Sequence, residues 1–177
     1  MKKSKVKIKI VLDADVIIHF YHGENLGLLP QIFENCEYIV LDYVYEEVLT
    51  KELRVQVQKL TEWFNNLKLV EFAPSGEIMH EYAQLLNTIR GKGESACLIY
   101  CKYNHDVIGS SNLSDILDYC TQNGIAYLTT CDFLYYAWRR GKMTVDEVND
   151  FVAKVKSKNS KLPKDFDVEH YVPNTEI

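Results

Sequence analysis

The amino-acid sequence predicts an α/β fold, a three-layer α/β/α sandwich with a mainly parallel five-stranded sheet. Apolar segments of strand length alternate with amphipathic helical segments along most of the chain. This alternation is typical of a parallel sheet that is covered by helices on both faces. The chain has 177 residues, of which 47% are hydrophobic, and this length favours one domain with a sizeable buried core. We expect a domain over residues 1–158 and a polar C-terminal tail over residues 159–177.

Five apolar segments have the length and composition of strands in such a sheet. They span residues 6–12, 37–41, 67–72, 107–109 and 125–128. In open parallel sheets, the functional crevice lies beyond the carboxyl ends of the strands. Residues that directly follow a strand are therefore the first candidates for function.

The segments between the strands carry the spacing and the caps expected of helices. Asp42 and Thr144 are placed as N-caps, and Asn123-Gly124 forms a left-handed C-terminal stop. Besides a short apolar helix after Asp13, the predicted helices span residues 26–33, 43–50, 52–67, 78–89, 94–103, 112–122, 132–139 and 145–156.

The charge balance excludes one class of nucleic-acid-binding protein. The 25 acidic residues exceed the 20 basic ones, which gives a formal net charge of −5. This balance argues against a basic coat of the histone type, which binds through many lysines and arginines. It is compatible with an enzyme that acts on nucleic acid at a small acidic site loaded with metal ions.

The lack of a recognisable targeting segment and the cysteine usage favour a cytoplasmic protein. The apolar run near the N-terminus is interrupted by Asp13, Asp15 and His19, so a signal peptide is not expected. No segment approaches the roughly 18 apolar residues that a membrane span needs. The five cysteines lack the spacing of a disulfide framework and fit a reducing compartment.

Three acidic residues occupy positions from which a parallel sheet would gather them into one crevice. Asp13 directly follows the first strand. Glu47 lies about one turn into the helix after the second strand, and Glu94 opens a later helix after a glycine-flanked turn. Each also has an ordinary structural interpretation. Asp13 suits a helix N-cap, and the two glutamates suit the positive end of a helix dipole.

Taken together, the three carboxylates predict a divalent-metal site. Mg²⁺ and Mn²⁺ prefer oxygen ligands and are usually held by one or two carboxylates, waters and substrate phosphate. Such ions activate water and stabilise charge on phosphorus during hydrolysis. The sequence contains no Ser-His-Asp order, phosphate-binding glycine loop or paired cysteine and histidine set that would indicate another chemistry.

Three short motifs resemble the successive motifs of PIN-domain proteins, within a similarity over about residues 6–145: IVLDADVIIHF, VYEEVL and GKGESACLIYC. The resemblance implies a PIN-like sheet between helices and a Mg²⁺- or Mn²⁺-dependent ribonuclease that hydrolyses RNA. Many PIN domains are toxins of toxin–antitoxin modules, of the VapC kind, so an antitoxin protein and a homo-oligomer are also implied. By position, Asp13, Glu47 and Glu94 match the family's first, second and third acids. Asp15 stands where the family often has Asn or Ser.

The chain departs from the family pattern after the fourth strand. PIN domains usually carry one or two further aspartates there, whereas this chain has Gly109-Ser110-Ser111-Asn112. Asp115 is either a substitute acid or an ordinary first-turn acid, and Asp132, after the fifth strand, is interpreted as a helix cap. The predicted site has catalytic Asp13, Glu47, Glu94 and Asp115, the first three as metal ligands, and substrate contacts from Asp15, Ser111, Asn112, Arg90 and Lys92.

The sequence is also compatible with two other functions. With an incomplete acidic site, the chain would be a catalytically impaired PIN-like module that binds RNA or protein. The segment LDADV also mimics the Asp-x-Asp motif of haloacid-dehalogenase-like phosphatases, with Asp13 as nucleophile and Asp15 as acid or base. That class also needs an acidic pair after a later strand, and the sequence shows no convincing one.

Overall fold

A computed structural model describes residues 7–47, 49–89 and 91–177, without the side chain of Glu47. Its strands are β1 (Lys9–Leu12), β2 (Glu37–Leu41), β3 (Leu67–Val70), β4 (Val107–Gly109) and β5 (Tyr127–Leu128). Its helices are α1 (Ala14–His22), α2 (Leu29–Ile32), α3 (Asp42–Glu47), α4 (Lys51–Trp63), α5 (Gly76–Leu85), α6 (Lys92–Asn104), α7 (Leu113–Asn123), α8 (Thr130–Arg139) and α9 (Val145–Ser157).

The five strands form one parallel sheet in the order β3-β2-β1-β4-β5. Strand β1 is central, and Val11 is paired with Ile39 of β2 on one side and Ile108 of β4 on the other. All three side chains are buried, as expected for continuous apolar strands covered on both faces. The predicted α/β fold class with a parallel five-stranded sheet is therefore confirmed.

Helices form a layer on each side of the sheet. Helix α6 lies against β1, β2 and β4 and packs beside α3, α5 and α7. In the other layer, α1 packs against α9, and α8 packs against α2 and α9. The Phe20 ring joins these helices, since its centroid lies 6.1 Å from that of Phe133 and 5.0 Å from that of Phe151.

The segment 26–33 differs from its prediction. Instead of one helix, it is a 3₁₀ turn, Leu26–Leu28, followed by the four-residue helix α2. Pro30 lies in the first turn of α2. Because proline has no N–H, it cannot donate the hydrogen bond that would continue an α-helix from the preceding turn.

Other predicted boundaries shift by a few residues. Strand β1 is predicted from residue 6, which lies outside the described residues, and it begins at Lys9. Helix α4 ends at Trp63 rather than at residue 67, because the chain must turn there to enter β3. Thr144 caps α9, and Gly124 ends α7 at φ +64°, as predicted.

Residues 158–177 follow α9 and run back along β5 and α8. The Thr175 hydroxyl donates to the Tyr127 carbonyl over 2.7 Å, and the Tyr136 hydroxyl donates to the Thr175 carbonyl over 2.9 Å. Val168 is buried. The division of the chain into a domain and a tail stays a prediction. None of the described helices has the length and apolar character that crossing a membrane requires.

Candidate active site

The predicted crevice lies at the carboxyl ends of β1 and β4. The strand order runs outward in opposite directions from these two neighbours, and such a switch point is where open α/β sheets bind ligands. Asp13 leaves β1 here, and its N–H donates to the Gly109 carbonyl at the end of β4 over 2.8 Å. Asp13, Asp15 and Glu94, which we call the carboxylate cluster, gather around this point.

Asp13 is both a helix cap and a buried acid. Its Oδ1 accepts the Ala14 N–H over 2.7 Å, so Asp13 is the N-cap of α1. Its Oδ2 accepts the Ser110 hydroxyl over 3.3 Å. The structural and functional interpretations of Asp13 are therefore compatible, because capping occupies one oxygen and leaves the other in the crevice.

Asp15 places negative charge beside the position where the expected fourth acid is missing. Its Oδ2 accepts the Ser111 N–H over 2.7 Å and lies 3.5 Å from the Ser110 hydroxyl oxygen. Its Oδ1 accepts the Val16 N–H over 2.6 Å. The loop after β4 carries no carboxylate, but a carboxylate from α1 reaches it.

Glu94 lies in the first turn of α6 and is 7% exposed. Its Oε1 is buried and accepts no hydrogen bond within the described part of the chain. Its Oε2 lies 3.5 Å from the Asn112 side-chain nitrogen. An acid that served only the helix dipole would be solvated, whereas an unpartnered buried carboxylate oxygen fits a site that binds a cation.

The pKa values of the cluster are raised by burial and by mutual repulsion. Burial, then the charge of Asp15, raises the pKa of Asp13 to about 7. Burial raises the pKa of Asp15 to about 6. Burial, followed by the charges of Asp13, Asp115 and Asp15, raises the pKa of Glu94 to about 8. A bound cation would reverse these shifts, because it favours the ionised carboxylates.

A chain of hydrogen bonds connects the loop after β4, which contacts the cluster, to helices α8 and α1. The Ser111 hydroxyl accepts the Thr130 N–H over 2.9 Å and donates to the Thr130 hydroxyl over 2.9 Å. The Thr130 hydroxyl lies 2.7 Å from Nδ1 of buried His19. Burial, then the charge of His22, lowers the pKa of His19 to about 4, so His19 is neutral at pH 7 and shares a neutral hydrogen bond with the Thr130 hydroxyl.

Asn112 and Asp115 form the outer edge of the site. The Asn112 side-chain nitrogen donates to Asp115 Oδ2 over 3.1 Å, and the Ser114 hydroxyl donates to Asp115 Oδ1 over 3.2 Å. Asp115 is exposed in the first turn of α7. Its charge reaches Glu94, although these hydrogen bonds hold its carboxylate at the edge.

The three other predicted site residues, and the predicted helix cap Asp132, have different outcomes. The Glu47 side chain and Arg90 lie outside the described residues; Glu47 ends α3, which packs against α6. Lys92 is exposed at the start of α6, two residues before Glu94. Asp132, predicted as a helix cap, is the third helical residue of α8 and forms a capping box with the N-cap Thr129, next to the edge strand β5.

Sequence reasoning missed the supporting residues His19, Thr130 and Ser110 as part of the site. In the sequence, His19 is only a polar interruption of an apolar run, and nothing in the local pattern indicates a role for Thr130. One signal was readable: a histidine in an apolar run needs a buried hydrogen-bond partner. The sequence does not say which residue supplies that partner.

The carboxylate cluster fits a divalent cation in the donor types it offers. Within the described residues, no three Asp, Glu, His or Cys side chains already form a metal-binding set. Mg²⁺ commonly needs only one or two carboxylates, with waters and substrate phosphate as its other ligands. Asp13 Oδ2 and Glu94 Oε1, which accepts no hydrogen bond from the described residues, supply donors of that kind.

The comparisons with known proteins support the fold. No family model and no curated protein matches the chain. Among solved structures, it is similar to a chain of VapBC-1 from nontypeable Haemophilus influenzae, with a TM-score of 0.50 and 12% sequence identity. The similarity covers 70% of this chain and 98% of the other one. At this identity the likeness shows that the two chains share a fold.

Replacing Glu94 with Gln is expected to make stability less sensitive to alkaline pH. The folded-state pKa of Glu94, about 8, lies above the unfolded value near 4.5, so the folded state holds this proton more tightly than the unfolded state. The free energy of unfolding of the wild type therefore falls as the pH rises from the unfolded value through 8. In EDTA, E94Q should exceed the wild type in free energy of unfolding by about 1–2 kcal/mol more at pH 9 than at pH 5.

Urea denaturation across this pH range measures the difference. Glu62 is an exposed glutamate on α4, and E62Q is the matched control that should show no such trend. A constant difference between E94Q and the wild type from pH 5 to pH 9 would mean that Glu94 is not held in a charge-repelling environment.

Proposed function

We propose that this protein is a metal-dependent ribonuclease of the PIN-domain type, which hydrolyses RNA phosphodiester bonds with Mg²⁺ or Mn²⁺. One observation carries the proposal: Asp13 and Glu94, from β1 and α6, bring buried and mutually repelling carboxylates to the switch point of the sheet. Such an arrangement costs stability without a cation and is typical of a functional site. The fold likeness to a VapBC-1 chain agrees with it.

Asp13 and Glu94 would hold the metal ion, and Glu47 is the proposed third ligand. The ion supplies activation of water and stabilisation of charge on the phosphate. Asp15, through Ser110 and Ser111, holds the loop after β4 and adds the negative charge that this loop lacks. This charge is our proposed answer to the missing fourth acid.

The remaining site residues are proposed to contact substrate. Arg90 and Lys92 adjoin Glu94 in sequence, and their positive charges would bind RNA phosphates. Asn112 and Ser111 present polar groups at the rim. Asp115 adds negative charge at the outer edge, close enough to influence Glu94.

We also propose the partners and the location that the family resemblance implies. The likeness to a VapBC-1 chain supports a toxin of a toxin–antitoxin module, with an antitoxin protein as partner and self-association of the chain. The five cysteines are all free and buried, which agrees with a reducing cytoplasm.

Metal-dependent cleavage of RNA tests the proposal directly. Purified protein incubated with labelled single-stranded RNA at pH 8 should produce discrete fragments in Mn²⁺ or Mg²⁺ and none in EDTA. Addition of excess Mn²⁺ after EDTA should restore cleavage. Equal cleavage in EDTA and Mn²⁺ would contradict the proposal, as would intact RNA under every metal condition.

A binding module without catalysis is the second candidate. It is favoured by one observation, that the described residues do not form a preassembled three-ligand metal set. In that case RNA or a partner protein would bind, RNA would stay intact, and Mn²⁺ would not change the melting temperature.

A further inference from the structure

A cavity of about 430 Å³ lies beside the carboxylate cluster, beyond the carboxyl ends of β4 and β5. Ser111 and Thr129 line it on the side of the sheet, and Lys161, Leu162 and Tyr171 line it on the side of the C-terminal segment. Its volume lies within the range of small-molecule sites. Ser111 connects the two places, because its N–H donates to Asp15 while the same residue forms part of the cavity wall.

The C-terminal wall of the cavity is fixed by a buried anchor. Asp132 is fully buried and accepts the Asn174 N–H over 2.7 Å at Oδ1 and the Asn174 side-chain nitrogen over 2.9 Å at Oδ2. The Asn174 side-chain nitrogen also lies 3.1 Å from the Tyr171 hydroxyl. The cavity is therefore built into the folded chain, with its wall held by hydrogen bonds.

The lining groups define what can bind. Ser111, Thr129, Tyr171 and Asn174 already satisfy hydrogen bonds among the protein's own groups. The Lys161 ammonium is different, since it makes no hydrogen bond or ion pair within the described part of the chain. The rest of the lining is apolar or aromatic, and it is supplied by Leu113, Cys131, Leu162, Pro163 and the Tyr171 ring. A flat apolar ring bearing an anionic group complements this surface.

We propose that this cavity is a nucleotide subsite, which binds one base of the RNA next to the cleaved phosphodiester and its phosphate. This inference rests on the proposed ribonuclease function and assigns a specificity role to the C-terminal segment. The base packs against Leu162, Pro163 and Tyr171, because aromatic and apolar side chains hold bases without reading a fixed pattern of hydrogen bonds. Lys161 pairs with the phosphate.

Binding of nucleoside 5′-monophosphates in EDTA tests the cavity apart from catalysis. The wild-type full chain should bind at least one of AMP, GMP, CMP and UMP by isothermal titration calorimetry, and more tightly than inorganic phosphate. K161A should weaken that binding about tenfold, the equivalent of one charge-assisted contact. L162W should reduce it further by filling the cavity.

Lys164 provides the matched control, since it is exposed on the same segment and lies outside the cavity lining. K164A should bind mononucleotides like the wild type. Equal affinity of K161A, L162W and wild type would overturn the inference, and so would binding of phosphate as tight as that of any nucleotide.

Cleavage assays separate failure of the subsite from failure of the nuclease. With Mn²⁺ and a randomised RNA, K161A should raise KM more than it lowers kcat for all sequences, because it removes a phosphate contact. L162W should change the base preference at one position beside the cut, because it fills the space proposed for the base. Unchanged KM in K161A and unchanged preference in L162W, with normal cleavage, would overturn the subsite alone. Mononucleotide binding that depends on Lys161, in a chain that cleaves no RNA, would instead contradict the nuclease and support the cavity.

Discussion

Asp13→Asn is expected to lower the rate of metal-dependent RNA cleavage by about a hundredfold or more. The reason is that Asp13 supplies a negatively charged oxygen at the switch point of the sheet, where the metal ion is proposed to bind. Loss of a charge that stabilises the reacting phosphate through the metal costs about 2.7 kcal/mol or more in activation free energy. Initial rates on labelled RNA in Mn²⁺ measure the effect.

The substitution is expected to leave the fold intact, which separates catalysis from stability. Asn can still accept the Ala14 N–H that caps α1. Burial and the charge of Asp15 raise the pKa of Asp13 to about 7, so the wild-type carboxyl loses stability as the pH rises through 7. In EDTA, D13N should therefore be at least as stable as the wild type at pH 8, with a smaller difference at pH 4.

Asp118 offers a matched control for this experiment. It is exposed on α7, so D118N changes the same charge without touching the crevice and should cleave RNA at the wild-type rate. Full cleavage by D13N would mean that the activity comes from a contaminant or from another site. Equal losses in D13N and D118N would point to net charge rather than to position.

Much of the fold could be predicted because the central strands are continuous apolar segments. Ile10, Val11 and Leu12 are buried together, and a continuous apolar run of this kind predicts a strand that is covered on both faces. The polar residues that follow β1 and β4 were likewise readable as candidates. Which strands are neighbours does not follow from the local pattern, and it is the adjacency of β1 and β4 that gathers the site.

Contacts between distant residues could not be predicted. Asp15 and Ser111 are 96 residues apart and meet only because β1 and β4 are adjacent. His19 and Thr130 are 111 residues apart and meet because α1 and α8 lie in the same helical layer. Neither pair has a local signature, since each side chain taken alone also suits a cap or a turn.

The contacts of the C-terminal segment with the rest of the fold could not be predicted from the sequence either. Its composition is polar, and polar composition alone predicts a segment with little core contact. The segment nevertheless positions Asn174 against fully buried Asp132. A capping residue was predicted at Asp132, but the second use of its carboxylate, as an anchor for a segment 42 residues later, depends on tertiary structure.

Asp132→Ala is expected to cost about 2–4 kcal/mol in free energy of unfolding. The carboxylate accepts the Thr129 N–H over 2.6 Å and its hydroxyl over 2.7 Å, besides the two Asn174 donors. Its removal loses the capping box of α8 and leaves buried donors unpaired, each a penalty of about 1–3 kcal/mol. Urea denaturation measures the loss.

Glu147 is the matched control, because it forms the same capping box with Thr144 at the start of α9 but is exposed and anchors no other segment. E147A should cost only about 0.5–1 kcal/mol. N174A removes only the side-chain donor of the anchor, since the backbone N–H of residue 174 remains, and it should account for part of the D132A loss. Equal losses in D132A and E147A would mean that the anchor contributes no stability.

Release of the C-terminal segment should also be visible without denaturant. In D132A, amide hydrogen exchange over residues 161–177 should become faster than in the wild type, while exchange in the buried strand β1 should change less. The cavity would then lose the wall that carries Lys161 and Tyr171. Metal-dependent cleavage should persist with a weaker base preference, because the carboxylate cluster is held by β1, α1 and α6 rather than by the C-terminal segment.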